Sequence, residues 1–437
     1  MPAIVAGTAL VLVTYVTPMA TLPPTARDLT ASGVAQAWIL SSMSIGLAGG
    51  LLAAGVLGDR YGRRRVYLAG LVLLTAGAAA SAAAWNPWIL VGSRVLQGLG
   101  GAAILACGLA VLAHTFAPGP QRLRATAAWG ASVGAGIAGG SVMAVALDFG
   151  TSWRENYVAT AALGLLLLAP TARTVQESRS ALPRRLDAAG MALLAAGMVL
   201  LVATLTQART GWGTSSTLLV VLALTSFIGL AVIESRTLQP LVDPEMLREL
   251  RFLAAIVGAL TVGLSIIAVT SFLPTVAQAG FGDSLRIASI PTLAWAVAST
   301  LAAVLLRRVP VNTEGPAAVS VLLAFTVAGM LLMLLADSTA GLVLPMTIAG
   351  ISTGILNAVL GREAVASVPL DHAAMASGAT NTARYLGAAC GITLIVVIGM
   401  HGGADIVAGW HRAVIAAAAF GALGSLLTAV IAVRGQS

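Results

Sequence analysis

Long apolar runs separated by short polar links fill this chain. Fourteen can be traced, at approximately 3–23, 34–57, 66–84, 87–113, 125–147, 156–172, 187–206, 217–234, 253–277, 287–306, 317–335, 341–361, 375–399 and 411–433. An α-helix needs roughly 20 mostly apolar residues to cross a hydrocarbon core, and the runs supply that length repeatedly. They are continuous rather than alternating, which favours helices over a β-barrel. The expected fold class is an all-α integral membrane protein with fourteen transmembrane helices. The first run starts almost at Met1 without a charged leader and stops at Pro23-Pro24, so it reads as a spanning helix rather than a signal peptide.

Composition agrees. Hydrophobic residues make up 58% and charged residues 9%, against about 25% charged in a soluble domain. The basic residues are all arginine, and the net charge of +8 persists across the physiological pH range. Such basicity in a soluble protein would suggest nucleic acid. Here the arginines sit in short links, so topology accounts for them and no nucleic-acid partner is expected. With a cytoplasmic N-terminus, about 17 arginines fall in inner links and about 5 in outer ones. The positive-inside rule then puts both termini in the cytoplasm, in the inner membrane of a bacterial cell. Cys107 and Cys390 lie within apolar runs, and His114, His372, His401 and His411 are scattered, so neither a metal site nor a cofactor is expected.

The longer inner links, 173–186 and 235–252, bracket runs seven and eight. That suggests a six-helix bundle over 1–172, a two-helix insert with its linkers over 173–252, and a second six-helix bundle over 253–437. A substrate site would lie between the bundles at mid-membrane.

The link after the second run reads Gly55-Val56-Leu57-Gly58-Asp59-Arg60-Tyr61-Gly62-Arg63-Arg64-Arg65. Each charge would cost about 2.5–3.5 kcal/mol in lipid, so this is a turn in water. Gly55 and Gly62 permit close approach and a sharp bend, and Asp59 is placed to cap the following helix and to pair with Arg63. The link resembles the signature loop between helices 2 and 3 of the major facilitator superfamily. The resemblance implies a cytoplasmic latch between the bundles; a plain positive-inside anchor is the other reading. Leu306-Arg307-Arg308 looks like a degraded second copy.

Further segments resemble the fourteen-helix drug:proton antiporter branch of that family. Arg94-Val95-Leu96-Gln97-Gly98 is similar to its helix-4 motif, whose arginine the resemblance links to proton coupling; a structural arginine bonded to carbonyls is the alternative. Gly130, Gly134, Gly136, Gly139 and Gly140 resemble its glycine-rich helix 5, with Gly136 where the branch has proline. Trp153-Arg154-Glu155-Asn156-Tyr157 resembles the opening of its helix 6. Pro183 to Asp187 and Gln239-Pro240-Leu241 look like the flanks of the insert. Val368-Pro369, Ala376-Ser377-Gly378 and Asn381 to Arg384 look like the entry to helix 13.

One departure stands out. The branch places an aspartate in helix 1, and Val13-Thr14-Tyr15-Val16-Thr17-Pro18 has none. The remaining proton-coupling candidates are Arg94, Asp148, Glu155 and Glu363, the last neutralisable by Arg362. Glu155 has a surface ion pair with Arg154 as its alternative role. Tyr15, Trp38, Gln97, Asn357, Asn381, Arg384 and Tyr385 are candidates for the cavity wall, although Trp38 also suits an interfacial belt. Scarce buried acids argue against dications and for neutral, zwitterionic or weakly anionic amphipathic substrates.

These readings add up to a monomeric exporter driven by the proton gradient and working by alternating access. An importer on the same fold is the alternative, and a non-transporting sensor is a more distant one. No catalytic constellation or nucleotide loop is present to suggest an enzyme.

Overall fold

The computed structural model describes the chain except for residues 117–119, 149–152, 180–186, 208–212, 238–245, 306–313, 369–372, 401–404 and 435–437. The arginine pair Arg307-Arg308, the link residues 183–186 and 239–241, and Pro369 lie outside the described residues. The described residues form helices, turns and links, with no strand.

The first six helices are α1 (Pro2–Asp28), α2 (Gly33–Tyr61), α3 (Arg63–Ala82), α4 (Pro87–Thr115), α5 (Pro120–Ala146) and α6 (Arg154–Thr174). Next come α7 (Ala188–Gln207) and α8 (Thr214–Arg236). The last group is α9 (Leu250–Val262), α10 (Ala268–Ala279), α11 (Leu285–Leu305), α12 (Gly315–Leu332), α13 (Val343–Ala366), α14 (Ala373–Gly399) and α15 (Ile406–Arg434). Together they give 14 helices long and apolar enough to cross a membrane. The ninth span is composite: a π-helical turn, Gly263–Ile267, joins α9 to α10.

Local chemistry explains the ends. Ser32 caps α2 by accepting from the Ala35 amide at 3.3 Å. Asn86 caps α4, accepting from Trp88 at 2.8 Å and Ile89 at 3.0 Å, with Pro87 at the first helical position. α1 runs past Pro23-Pro24 to Asp28 and so outlasts its apolar run. Its Thr14, Thr17, Thr21 and Thr25 hydroxyls each donate to the carbonyl four residues back, so polar side chains need no solvent there.

Within the first six helices, α2 and α3 pack on α4, α5 and α6 pack on α1, and α3 packs on α6. Among α9–α15, α11 and α12 pack on α13, α12 on α15, and α14 on α9. The two groups meet along two seams, α2 against α14 and α5 against α11, with α1 also touching α10. There Gln278 donates its amide to the Ala20 carbonyl at 2.8 Å. α7 and α8 pair with each other, and α7 leans on α2 and α14 beside the first seam. α8 turns Leu218, Val221, Leu222, Leu224 and Ile228 outward, a face that lipid tails solvate as well as a protein core would.

Candidate substrate pathway

One link between the two groups of helices is aromatic. Tyr15 on α1 meets Tyr385 on α14 edge-to-face, with centroids 5.9 Å apart. The Tyr15 hydroxyl shares a 2.9 Å hydrogen bond with Ser44 of α2. One residue before Tyr385, Arg384 donates Nη1 to the Asn381 side-chain oxygen at 3.0 Å, while the Asn381 amide donates to the Ser377 carbonyl. Asn381 is thereby used on both sides and holds the guanidinium. The Arg384 Nε has no hydrogen-bond partner among the described residues, and neither does the side-chain oxygen of Asn357 on α13.

The backbone beneath Arg384 is tightly packed. A Cβ at Gly263 would run into the Arg384 carbonyl, and one at Gly387 would come within 3.1 Å of the Leu264 amide as well as meeting the Leu260 carbonyl. Two glycines let the π-turn and α14 cross almost backbone to backbone. Sequence reading missed the π-turn, because apolar continuity looks the same through it.

Arg94 is fully buried. It donates Nε to the Ile39 carbonyl of α2 at 2.7 Å, its Nη1 has no partner, and it lies beside the Tyr157 hydroxyl. That carbonyl bond matches the structural reading in part; the free Nη1 leaves capacity for more. Tyr157 and Asn156 line a crevice with Thr14, Thr17, Pro18 and Thr160, between α1 and α6, too narrow to admit a water.

Two expected cavity residues point elsewhere. Gln97 donates to the Ser81 hydroxyl of α3 at 2.9 Å and is fully buried between α3 and α4. Three residues past Arg94 it is rotated by about 60° around the helix, which turns it from α2 to α3. Trp38 packs edge-on against Trp88, 6.5 Å between centroids, near the starts of α2 and α4. Trp88 is exposed, the arrangement of an interfacial belt.

At the α2–α3 turn, Asp59 does not cap α3. α2 continues through it to Tyr61, and Gly62, at φ 114°, makes the break. Asp59 instead accepts from Arg63 Nη2 at 2.7 Å and from its Nε at 2.9 Å. The loop is moored to the segment after α6: Arg63 N donates to the Ser178 carbonyl at 2.9 Å and Arg64 N to Glu177 at 3.0 Å, Arg65 lies 3.8 Å from Glu177, and Arg64 also reaches the Ala172 carbonyl. Arg60 lies over the Tyr61 ring, and Gly55 faces open space. A second charged cluster sits under α13. Glu363, 2% exposed, pairs with Arg251 at 2.9 Å and Arg362 at 3.7 Å, and Arg251 also reaches Glu314 at 3.9 Å. Arg362 was expected; Arg251, on another helix, was not legible from sequence proximity.

At the opposite end of the helices, Arg154 salt-bridges to Asp28 of α1 and donates to the Ala84 carbonyl at 2.8 Å. Trp153 adds a 3.0 Å bond to Asp28 and stacks edge-on with Tyr157. Glu155 is half-buried next to them, and Asp148, two residues past the end of α5, is also half-buried. On α5, Gly136, Gly139 and Gly140 pack against α1, Gly134 meets Thr300 of α11 across the second seam, and Gly130 faces open space. Among the described residues no three His, Cys, Asp or Glu side chains are grouped to hold a metal ion.

Known proteins are similar to this chain. The "Cephamycin export protein CmcT" of Amycolatopsis lactamdurans is 30% identical over 90% of this chain and 84% of its own length. The "Probable actinorhodin transporter" of Streptomyces coelicolor is 28% identical over 85% of this chain and 67% of its own. The "Multidrug efflux pump LfrA" of Mycolicibacterium smegmatis is 28% identical over 86% and 76%. A crystal structure of a peptide transporter in complex with sulfate shares the fold, with a TM-score of 0.71 at 16% identity over 98% of this chain and 94% of that one. The Major Facilitator Superfamily model itself matches residues 4–392, and the chain, a multi-pass helical membrane protein, belongs to that superfamily.

Proposed function

We propose that this protein exports small amphipathic compounds in exchange for protons, by alternating access, from the plasma membrane of a bacterial cell. It acts as a monomer with both termini in the cytoplasm, and its moving units are the bundles 1–172 and 253–437, with 173–252 as an insert. The observation that carries the reading is the Tyr15–Tyr385 contact at the meeting of the helix groups, flanked by Arg384, Asn381 and Asn357. Polar groups at that depth belong where a pathway opens. The relatives' names supply the direction, since three of them are described as transport, export or efflux proteins.

In this mechanism the seams α2–α14 and α5–α11 part alternately. The Asp59–Arg63 hairpin moored on Glu177 braces the α2–α3 turn against the segment after α6, and the Glu363–Arg251 pair ties α13 to α9, so each bundle keeps its cytoplasmic end rigid while the seams part. Glu155, one residue before crevice-lining Asn156 and Tyr157, receives the incoming proton, and Arg94 sets the field in that crevice. Protonation from outside weakens cargo binding and favours return; deprotonation inside restores it.

Everted vesicles test this. With an acid interior, the expected result is inward accumulation of an amphipathic dye, abolished by an uncoupler and by Glu155→Gln. Accumulation indifferent to the uncoupler refutes proton drive. Net movement in the opposite direction favours an importer.

A further inference from the structure

The distribution of charge with depth is lopsided. Arg384 is the twelfth residue of α14, about 17 Å along a helix that rises 1.5 Å per residue and so near the middle of a ~30 Å hydrocarbon core. Arg94 is the eighth residue of α4. Every described Asp and Glu, by contrast, lies in a link or within the last or first turn of a helix. Neither mid-span guanidinium has a carboxylate within salt-bridge range among the described residues. The best-buried acid, Glu363, is already matched by two arginines. Among the described residues, the membrane interior therefore carries fixed positive charge and no carboxylate counter-ion.

The two arginines differ in what they offer. Arg94 is sealed and spends Nε on the Ile39 carbonyl. Arg384 retains partial access. Asn381 fixes one edge of its guanidinium through Nη1 and leaves Nε free. Beside it stands the Tyr385–Tyr15 pair, an aromatic surface on the meeting line of the helix groups. A fixed guanidinium fork suits a carboxylate or similar oxyanion, and the adjacent rings suit the apolar body of an amphipath.

We infer that Arg384 is the anion-recognising residue of the cargo site, and that the cargo is an aromatic or apolar compound bearing a carboxylate, phenolate or comparable oxyanion. This rests on the transporter reading above but needs neither proton drive nor export. The anion completes Arg384's missing pairing, and a cationic amphipath meets repulsion there.

Binding to purified, detergent-solubilised protein without any gradient tests it. The probes are fluorescein, an anion, and rhodamine 123, a cation on the same xanthene core, each followed by fluorescence anisotropy. Wild type is expected to bind fluorescein at least tenfold more tightly than rhodamine 123. Arg384→Gln should weaken fluorescein at least tenfold without weakening rhodamine 123, and Arg384→Lys should recover part of the loss. Should Arg384→Gln fail to fold, the wild-type preference and Asn381→Ala, which releases the guanidinium from its tether and should weaken fluorescein severalfold, carry the test. A preference for rhodamine 123, no saturable fluorescein binding, or an unchanged fluorescein affinity in folded Arg384→Gln overturns the inference. Failure of uncoupler sensitivity in vesicles, with fluorescein binding intact, overturns the proton-driven mechanism alone.

Discussion

The Glu363–Arg251 pair makes a prediction with an unusual sign. Glu363 is 2% exposed, whereas Arg251 is 44% exposed. Removing one partner of a fully buried pair costs about 3–5 kcal/mol, because the other charge is stranded. Arg251→Ala strands the carboxylate, but Arg362 remains at 3.7 Å and Arg251 was already partly in water, so we predict a cost of about 2 kcal/mol. Glu363→Gln strands nothing buried. Arg251 keeps solvent and Glu314, and the loss stays below about 1 kcal/mol. The double variant should then be no less stable than Arg251→Ala alone, and more stable if desolvation of the lone carboxylate dominates. A double-mutant cycle should return a coupling of about 1–2 kcal/mol.

Native chemistry supplies the assay. Cys107 and Cys390 are free and buried, so a thiol-reactive dye reports their exposure as detergent-purified protein is heated. At about 2–4 °C per kcal/mol for a unit of 150–250 residues, Arg251→Ala should lower the midpoint by about 4–8 °C and Glu363→Gln by less than half of that. Additive losses in the double variant would refute the reasoning, since they would mean that Arg251 and the carboxylate stabilise the fold independently.

Other positions give simpler expectations. Gly387→Leu should collapse the π-turn crossing, lowering the same midpoint by about 5 °C or abolishing folded yield, while Gly92→Ala, with nothing within 4 Å of its Cβ, should leave it within about 2 °C. Gly62→Ala forces a side chain into φ 114° and against the Glu177 carboxylate; a cost of about 1–3 kcal/mol and faster proteolysis after residue 175 are expected. Tyr385→Leu removes the edge-to-face contact, worth about 0.5–1.5 kcal/mol beyond burial, and should lower dye transport in vesicles more than it lowers thermal stability.

Depth and partnership were not equally legible in the chain. A residue's depth follows from its distance to the ends of an apolar run, and all fourteen runs became spans. Its partner depends on which helix crosses at that level, which run lengths do not encode. Arg251 and Glu363 are 112 positions apart, Arg64 and Glu177 113 apart, and neither pairing leaves a local pattern. Gln97 shows the same limit at close range: it shares a helix with Arg94, yet a rotation of about 60° from it gives Gln97 to α3. The π-turn at Gly263 was invisible because an extra residue in one turn changes neither hydrophobicity nor length enough to register. The cargo inference draws on the legible half. That Arg94 and Arg384 lie deep and the acids lie shallow follows from run positions alone; the helix crossings decide only which of the two guanidinium groups a ligand can reach, and Asn381 and Tyr385 single out Arg384.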